Sequence, residues 1–356
     1  MSEKWELVYK GSVKDVYRGA SKDVYYFSFS DRYSVFDWGE MPDQLSLKGE
    51  SLAVMGDLFF RILKSKGFRH HSLGLTDADG KILPIGSRSN MLAVQSVDRR
   101  MPGPNRDYSY YRNEKPINTL VPLEVVFRFG IPAGSSLLKR LEKNSNYARE
   151  LGLPAVPKEG DFFSEPVVEF FTKLESTDRF LTEKEAQDVA GLSGLELAAL
   201  KKITKDIAKN LYGIFQKMEV ELWDGKFEFS FIAEQDGLRS LQLVDSVGPD
   251  ELRLIYEGVH LSKEVLRKQY RNSAWYEAVE KSKKLAEERG TDDWKRICKE
   301  ELQSFPLPLP NRVRRAVTHL YPAIANALAL TSGLSSKAIF ENVPDLKTVA
   351  RELKQL

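Results

Sequence analysis

Apolar and polar residues alternate strictly from Lys226 to Ile232. The three phenylalanines of this segment fall on one face, which predicts a half-buried β-strand. Asp236-Gly237 follows, and this dipeptide is the strongest short signal for a two-residue hairpin loop. A second strand is therefore expected at about residues 239–245, paired with the first.

The predicted hairpin brings two acidic residues together. With a two-residue loop, Glu228 lies directly opposite Asp245, with the Cβ atoms about 5 Å apart. Two carboxylates at that separation repel by about 3 kcal/mol at an effective dielectric constant of 20. A divalent cation with oxygen ligands reverses this repulsion, and Mg²⁺ is usually held by carboxylates together with phosphate. Lys226 shares this face and could reach a phosphate; the alternative is an exposed hairpin with scattered surface charges.

The remaining pattern contains both strands and helices. It predicts three short antiparallel strands within residues 5–29 and a central apolar strand at 120–128. Helices are expected at about 48–66, at 193–218 after a capping box, and at 311–330. Antiparallel strands combined with helices indicate the α+β class.

The order of these elements predicts three regions. Residues 1–118 are expected to form an N-terminal antiparallel β lobe with one helix. Residues 119–330 would form a larger α+β lobe that carries the substrate and metal sites, and residues 331–356 a C-terminal helical appendix.

Composition narrows the classes of ligand. The chain has 356 residues, of which 42% are hydrophobic and 29% charged, and its net charge of +2 gives no bulk attraction to nucleic acid or membrane. An anionic ligand must therefore be held by locally placed Lys and Arg. Cys298 is the only cysteine, which excludes an intramolecular disulfide and a cysteine-based zinc site. Because the chain has neither a signal-peptide core nor an apolar run of membrane-spanning length, a cytoplasmic protein is expected.

Two turns are candidate anion sites. Lys14 follows the glycine turn Lys10-Gly11-Ser12, where backbone N–H groups and an ammonium could lie over phosphates, although these residues alone favour a plain β-turn. Arg128 ends the central strand, and Gly134-Ser135-Ser136 then opens a helix whose free N–H groups could bind an anion. The alternative there is an ordinary strand-to-helix turn. His70-His71 is interpreted as a polar loop or strand edge, because adjacent histidines cannot share one face of a strand.

Ordered motifs extend from about residue 9 to residue 330. They are KGSVKDVY (10–17), SDRYSVFD (30–37), LKG (47–49), VPLEVVFR (121–128), AGS (133–135), PVVEFFTK (166–173), DGKFEF (224–229), LVD (243–245) and SKEVLR (262–267). In this order and spacing the set resembles the phosphoribosylaminoimidazole-succinocarboxamide synthase (SAICAR synthetase) family.

The resemblance implies an ATP-dependent ligase of de novo purine biosynthesis. Such an enzyme condenses 5-amino-1-(5-phosphoribosyl)imidazole-4-carboxylate with L-aspartate through an acyl phosphate, and releases ADP and phosphate. ATP and Mg²⁺ are the implied cofactors. The implied fold is bilobal and ATP-grasp-like, or SAICAR synthetase-like, with the small lobe over the larger one and ATP in the cleft. The implied partners are these small molecules, with no nucleic acid and no membrane, and a homo-oligomer is left open.

The resemblance also assigns roles to individual positions. Glu228 and Asp245 match the acids that hold Mg²⁺. The positions matched to ATP binding are Lys14, Val16, Leu120, Lys173, Lys226 and Val244. The positions matched to substrate binding are Arg128, Ser135, Arg253, Lys263 and Arg267. The positions matched to catalysis are Lys226, Lys173, Asp178 and Asp37.

Several positions depart from the family pattern. Ser246 replaces the usual Glu after the metal-binding Asp, Ser262 replaces an Asp, and Phe129 stands where Asn or Gly is common. These changes lie on the substrate side, so they keep two alternatives open. One is a diverged ATP-dependent ligase or kinase with a different carboxylate or amine substrate. The other is a catalytically dead nucleotide-binding scaffold.

Overall fold

The computed structural model of the protein describes residues 5–175, 177–235 and 238–356. Backbone contacts divide the chain into two units. Unit 1 comprises Met1–Leu58, Leu73–Val94 and Tyr256–Leu356, and unit 2 comprises Phe59–Ser72 and Gln95–Ile255. The predicted boundaries after residues 118 and 330 follow the linear order of the chain, whereas both units combine segments that are distant in sequence.

The strands, in chain order, are β1 (Glu6–Lys10), β2 (Lys14–Arg18), β3 (Val24–Phe29), β4 (Ser72–Thr76), β5 (Met91–Gln95), β6 (Thr119–Leu120), β7 (Leu123–Gly130), β8 (Phe162–Thr172), β9 (Phe180–Leu181), β10 (Glu221–Ala233), β11 (Arg239–Val244), β12 (Leu252–Tyr256) and β13 (Val259–His260). The prediction of three short N-terminal strands is confirmed, because β1, β2 and β3 pair antiparallel in sequence order.

The helices, in chain order, are α1 (Lys48–Ser65), α2 (Ser109–Glu114), α3 (Ser136–Lys143), α4 (Tyr147–Glu150), α5 (Glu183–Ala190), α6 (Gly194–Lys217), α7 (Glu264–Tyr270), α8 (Ala274–Glu288), α9 (Trp294–Arg296), α10 (Asn311–Thr331) and α11 (Leu346–Lys354). A short 3₁₀ turn covers Pro104–Arg106, and a π-helical turn covers Ile297–Glu301. No helix in the described part of the chain has the length and hydrophobicity that crossing a bilayer requires.

Each unit is built on a sheet. Unit 1 contains the order β1-β2-β3-β5-β4, and unit 2 contains the order β12-β10-β7-β8-β9, with β6 and β11 also paired to β10. The pairings of β10 with β6, β7, β11 and β12 are all antiparallel. Antiparallel sheets with packed helices confirm the predicted α+β class.

The two faces of the unit 2 sheet differ in character. The predicted central strand is confirmed as β7, whose Phe127 stacks on Phe227 of β10 with ring centroids 4.8 Å apart. The predicted long helix is confirmed as α6, which starts with the expected capping box. This helix packs on the same apolar face, and the ring centroids of its Tyr212 and of Phe129 are 4.8 Å apart. Because side chains alternate along a strand, the even-numbered residues of β7 and β10 lie on the opposite face. That face carries the charged residues considered next.

Candidate functional site

The hairpin of β10 and β11 does not have the predicted register. Glu228 faces Val244 rather than Asp245, so the prediction is wrong by one residue. The N–H of Glu234 donates to the carbonyl oxygen of Leu238 at 2.8 Å. Three residues therefore separate this hydrogen-bonded pair, whereas the prediction had a two-residue loop. The predicted turn dipeptide, Asp236-Gly237, lies outside the described residues.

Pairing of apolar side chains explains the observed register. Phe229 faces Leu243, and Phe231 faces Leu241, all on the buried side of the sheet. The predicted register would have placed Phe231 opposite the polar Gln242. Because a slip of one residue turns a whole strand over, the buried face specifies register more strongly than the turn sequence does.

The carboxylates of Glu228 and Asp245 nevertheless interact. Asp245 directly follows the last residue of β11 and has a left-handed backbone with φ of 66°. In a continued strand its side chain would point away from the face of Glu228, and the left-handed backbone changes that direction. Burial raises the pKa of Glu228, and the negative charge of Asp245 raises it further. The two predicted metal ligands therefore interact electrostatically without being a facing pair.

Two lysines lie between the acids of this face. Lys173 Nζ is 2.6 Å from Glu228 Oε1 and 3.4 Å from Glu124 Oε1, and Lys226 Nζ is 2.5 Å from the same Glu124 oxygen. Burial acts to lower the pKa of Lys173, but the charges of Glu228, Glu124 and Asp245 outweigh burial and raise it above its usual value. Both predicted cations are thus held beside the predicted metal ligands.

Glu124 has no role in the sequence prediction, because it lies within a largely apolar strand. Burial acts to raise its pKa, but Lys226 and Lys173 together lower it below the usual value, so Glu124 is ionised. The signal was available: Glu124 and Arg128 are charged residues an even number of positions apart on the central strand, which places them on one face.

The donor atoms of this cluster suit Mg²⁺. Glu124, Glu228 and Asp245 supply three carboxylates against the two lysines, which leaves a negative charge and hard oxygen donors. Among the described residues, no group of three or more His, Cys, Asp or Glu side chains could hold a metal alone. A site of one or two carboxylates completed by phosphate is the usual arrangement for Mg²⁺.

A second charged cluster lies on the same face and is centred on Arg128. Its Nε is 2.5 Å from Glu169 Oε2 on β8, and its Nη1 is 3.1 Å from Asp224 Oδ2 on β10. Asp224 also faces Arg253 of β12, whose Nε is 3.5 Å from Asp224 Oδ1. Burial acts to lower the pKa of Arg128, but Glu169 and Asp224 raise it, so the guanidinium stays charged in the interior.

Glu169 is the acid with most partners in this second cluster. Besides Arg128, it accepts from Arg140 Nε at 2.9 Å and from Tyr147 Oη at 3.1 Å, and its side chain is fully buried. From the sequence alone, Glu169 is explained equally well as a site residue and as a solvated loop charge. A carboxylate inside the apolar run of β8 was the available signal.

Other predicted site residues of unit 2 lie at the ends of elements. Ser135 caps α3 by accepting from Leu137 N at 3.4 Å. Leu120 ends β6, and its N–H donates to the carbonyl of Asp98 at 2.8 Å. Val244 is buried at the end of β11, and Asp178 is exposed just before β9.

The remaining predicted site residues belong to unit 1. Lys14 and Val16 lie on β2, where Lys14 Nζ is 4.3 Å from the ring centroid of Phe27. Asp37 has a left-handed backbone with φ of 60°. Lys263 precedes the first residue of α7, and Arg267 of that helix forms a 3.2 Å ion pair with Glu264.

Comparison with known proteins agrees with these features. A sequence model of the SAICAR synthetase family matches residues 7–282. A putative phosphoribosylaminoimidazole-succinocarboxamide synthase of Archaeoglobus fulgidus is 37% identical over 333 residues, which is 93% of each chain. The phosphoribosylaminoimidazole-succinocarboxamide synthase of Thermoplasma volcanium is 29% identical over 77% of this chain and 86% of the relative.

Solved structures show the same fold. The SAICAR synthase of Saccharomyces cerevisiae, complexed with SAICAR, has a TM-score of 0.61 at 20% identity, covering 92% of this chain and 96% of that one. A SAICAR synthetase in complex with ADP has a TM-score of 0.54 at 24% identity, covering 85% of this chain and all of that one. The chain belongs to the SAICAR synthetase family.

Proposed function

We propose that the protein is an ATP-dependent ligase that condenses 5-amino-1-(5-phosphoribosyl)imidazole-4-carboxylate with L-aspartate to give SAICAR. The observation that carries this proposal is the cluster of Glu228, Asp245, Lys173 and Lys226 on one sheet face, in a chain of the SAICAR synthetase family. The relatives named for this activity, and the family structures with ADP and with SAICAR, support the same assignment.

The reaction has two steps with a shared electrostatic demand. A carboxylate oxygen of the ribonucleotide attacks the γ-phosphorus of ATP, the bond to the β-phosphate oxygen breaks, and ADP leaves. The aspartate amine then attacks the acyl carbon, phosphate leaves with the acyl oxygen, and the amine gives up a proton. Both steps bring several anions together, so fixed positive charge and exact placement supply most of the catalysis.

In this proposal the first cluster handles the phosphates. Glu228 and Asp245 would hold Mg²⁺, which when bound neutralises phosphate oxygens of the nucleotide. Lys173 and Lys226 would contact the phosphates directly, since their pKa values are raised and their ammonium groups stay charged. The buried carboxylate of Glu124 would hold both ammonium groups in position through its two ion pairs.

The second cluster would face the ribonucleotide. The side chain of Arg128 is only 7% exposed and is engaged by two acids, whereas that of Arg253 is 23% exposed. We therefore assign the more direct substrate contact to Arg253, with Arg128 and Ser135 supporting it. The unit 1 residues Lys14, Val16, Asp37, Lys263 and Arg267, together with Leu120, Val244 and Asp178, keep the roles that the family resemblance implies.

An assay with the purified protein tests the proposal. ATP, Mg²⁺, the carboxylated ribonucleotide and L-aspartate are expected to give equal amounts of ADP and SAICAR, and omission of either organic substrate should abolish SAICAR. ADP release only with another carboxylate or amine would instead favour a diverged ligase or kinase. If the protein binds nucleotide without turnover, and Glu228→Ala changes nothing measurable, it is a scaffold.

A further inference from the structure

His71 is buried beside the first cluster. Its residue is only 3% exposed, and its ring Nε2 lies 3.0 Å from the carbonyl oxygen of Asp245. The segment that carries it runs along β11, with the N–H of His71 donating to Leu243 O at 3.1 Å and the N–H of Leu243 donating to Arg69 O at 3.0 Å. The prediction of a polar loop or strand edge fits this segment but did not anticipate the contact with Asp245.

The contact is made at an unusual point of the backbone. A carbonyl oxygen only accepts hydrogen bonds, so Nε2 of His71 must carry the proton and donate it. The acceptor belongs to Asp245, whose φ of 66° is uncommon for a residue other than glycine. This same backbone conformation turns the Asp245 side chain away from the direction that a continued strand would give it.

We propose that His71 is a positioning residue that holds the left-handed backbone of Asp245, and so keeps the Asp245 carboxylate beside Glu228 and Lys173. This inference rests on the proposed function, in which Asp245 and Glu228 hold Mg²⁺ with the nucleotide. In this proposal His71 acts on the site through the carbonyl of Asp245.

A purely structural role for the His71 ring can be separated from the proposed positioning role. His71 packs against Phe60 with ring centroids 5.7 Å apart, and its neighbour His70 packs against the same ring at 4.9 Å. His70→Met therefore removes an imidazole from the same aromatic contact and is the matched control. His71→Met removes the donor at similar volume, and His71→Gln keeps an N–H at similar reach.

The experiment measures binding of Mn²⁺ in the presence of ADP, by electron paramagnetic resonance of the free ion, with thermal unfolding recorded for each full-length variant. Loss of a residue that orients a metal ligand typically weakens metal binding by about 10- to 100-fold, which is expected for His71→Met. His71→Gln should recover most of the affinity, and His70→Met should stay near the wild type. Unchanged binding in His71→Met, or an equal loss in His70→Met, would overturn the proposal.

Two further arms keep the result decisive. If His71→Met does not fold, His71→Gln is compared with His71→Asn, whose shorter amide cannot reach the carbonyl. Weaker binding in the Asn variant alone supports the proposal, and equal binding contradicts it. The binding assay contains neither the ribonucleotide nor aspartate. A wild-type protein that binds Mn²⁺ and ADP but makes no SAICAR would therefore refute the proposed reaction and leave the positioning role standing.

Discussion

Glu169→Gln should destabilise the protein strongly through the second charged cluster. The fully buried carboxylate of Glu169 forms ion pairs with Arg128 Nε at 2.5 Å and with Arg140 Nη2 at 2.7 Å. It also accepts a hydrogen bond from the hydroxyl of Tyr147 at 3.1 Å. Glutamine has nearly the same shape but no charge. The substitution therefore leaves the Arg128 guanidinium in the interior with Asp224 as its remaining acidic partner.

The size of the effect follows from burial. Removing one partner of a buried ion pair costs about 3–5 kcal/mol when the other charge stays buried without compensation. Arg128 keeps its ion pair with Asp224, so a cost at the lower end of this range is expected. The whole stability of a typical protein is only about 5–15 kcal/mol. Glu169→Gln is thus expected to remove a large share of the free energy of unfolding while leaving the backbone fold intact.

Glu165 provides the matched control on the same strand. It forms a 2.6 Å ion pair with Lys209, but the two side chains are 62% and 43% exposed, so Glu165→Gln should cost less than about 1 kcal/mol. Urea denaturation at pH 7 followed by circular dichroism measures both variants. A loss in Glu169→Gln no larger than that in Glu165→Gln would refute the view that this cluster is a tightly coupled interior network.

Two further predictions concern single titrating groups. Glu228→Gln should lower SAICAR synthesis at least about 100-fold. It should also raise the melting temperature at neutral pH, because burial and Asp245 outweigh the attraction of Lys173 and disfavour the charge of Glu228 in the folded state. A lower melting temperature would contradict this. Burial lowers the pKa of His70 to about 4, so the unfolded state binds an extra proton as pH falls below 6.5. The free energy of unfolding should therefore fall between pH 6.5 and 4, by at most about 3 kcal/mol from this group, and urea titrations of His70→Phe should lack that part of the fall.

The sequence predicted the elements of the fold well where the pattern of side chains is local. The alternation around Phe229 identified β10, the capping box identified the start of α6, and the apolar run before Arg128 identified the central strand. The Asp236-Gly237 signal predicts the wrong hairpin register, because apolar pairing across the two strands decides the register.

The site was only partly predictable for related reasons. The sequence predicts Glu228 and Asp245 as a pair, but their interaction depends on a left-handed backbone at Asp245 that no local pattern requires. Glu124 and Glu169 gained their importance only when neighbouring strands brought lysine and arginine side chains to them.

The most direct measurement is anomalous diffraction from crystals grown with ADP and Mn²⁺. We expect a manganese peak within bonding distance of the carboxylates of both Glu228 and Asp245, next to the nucleotide phosphates. A manganese–nucleotide complex bound away from these two acids would contradict it.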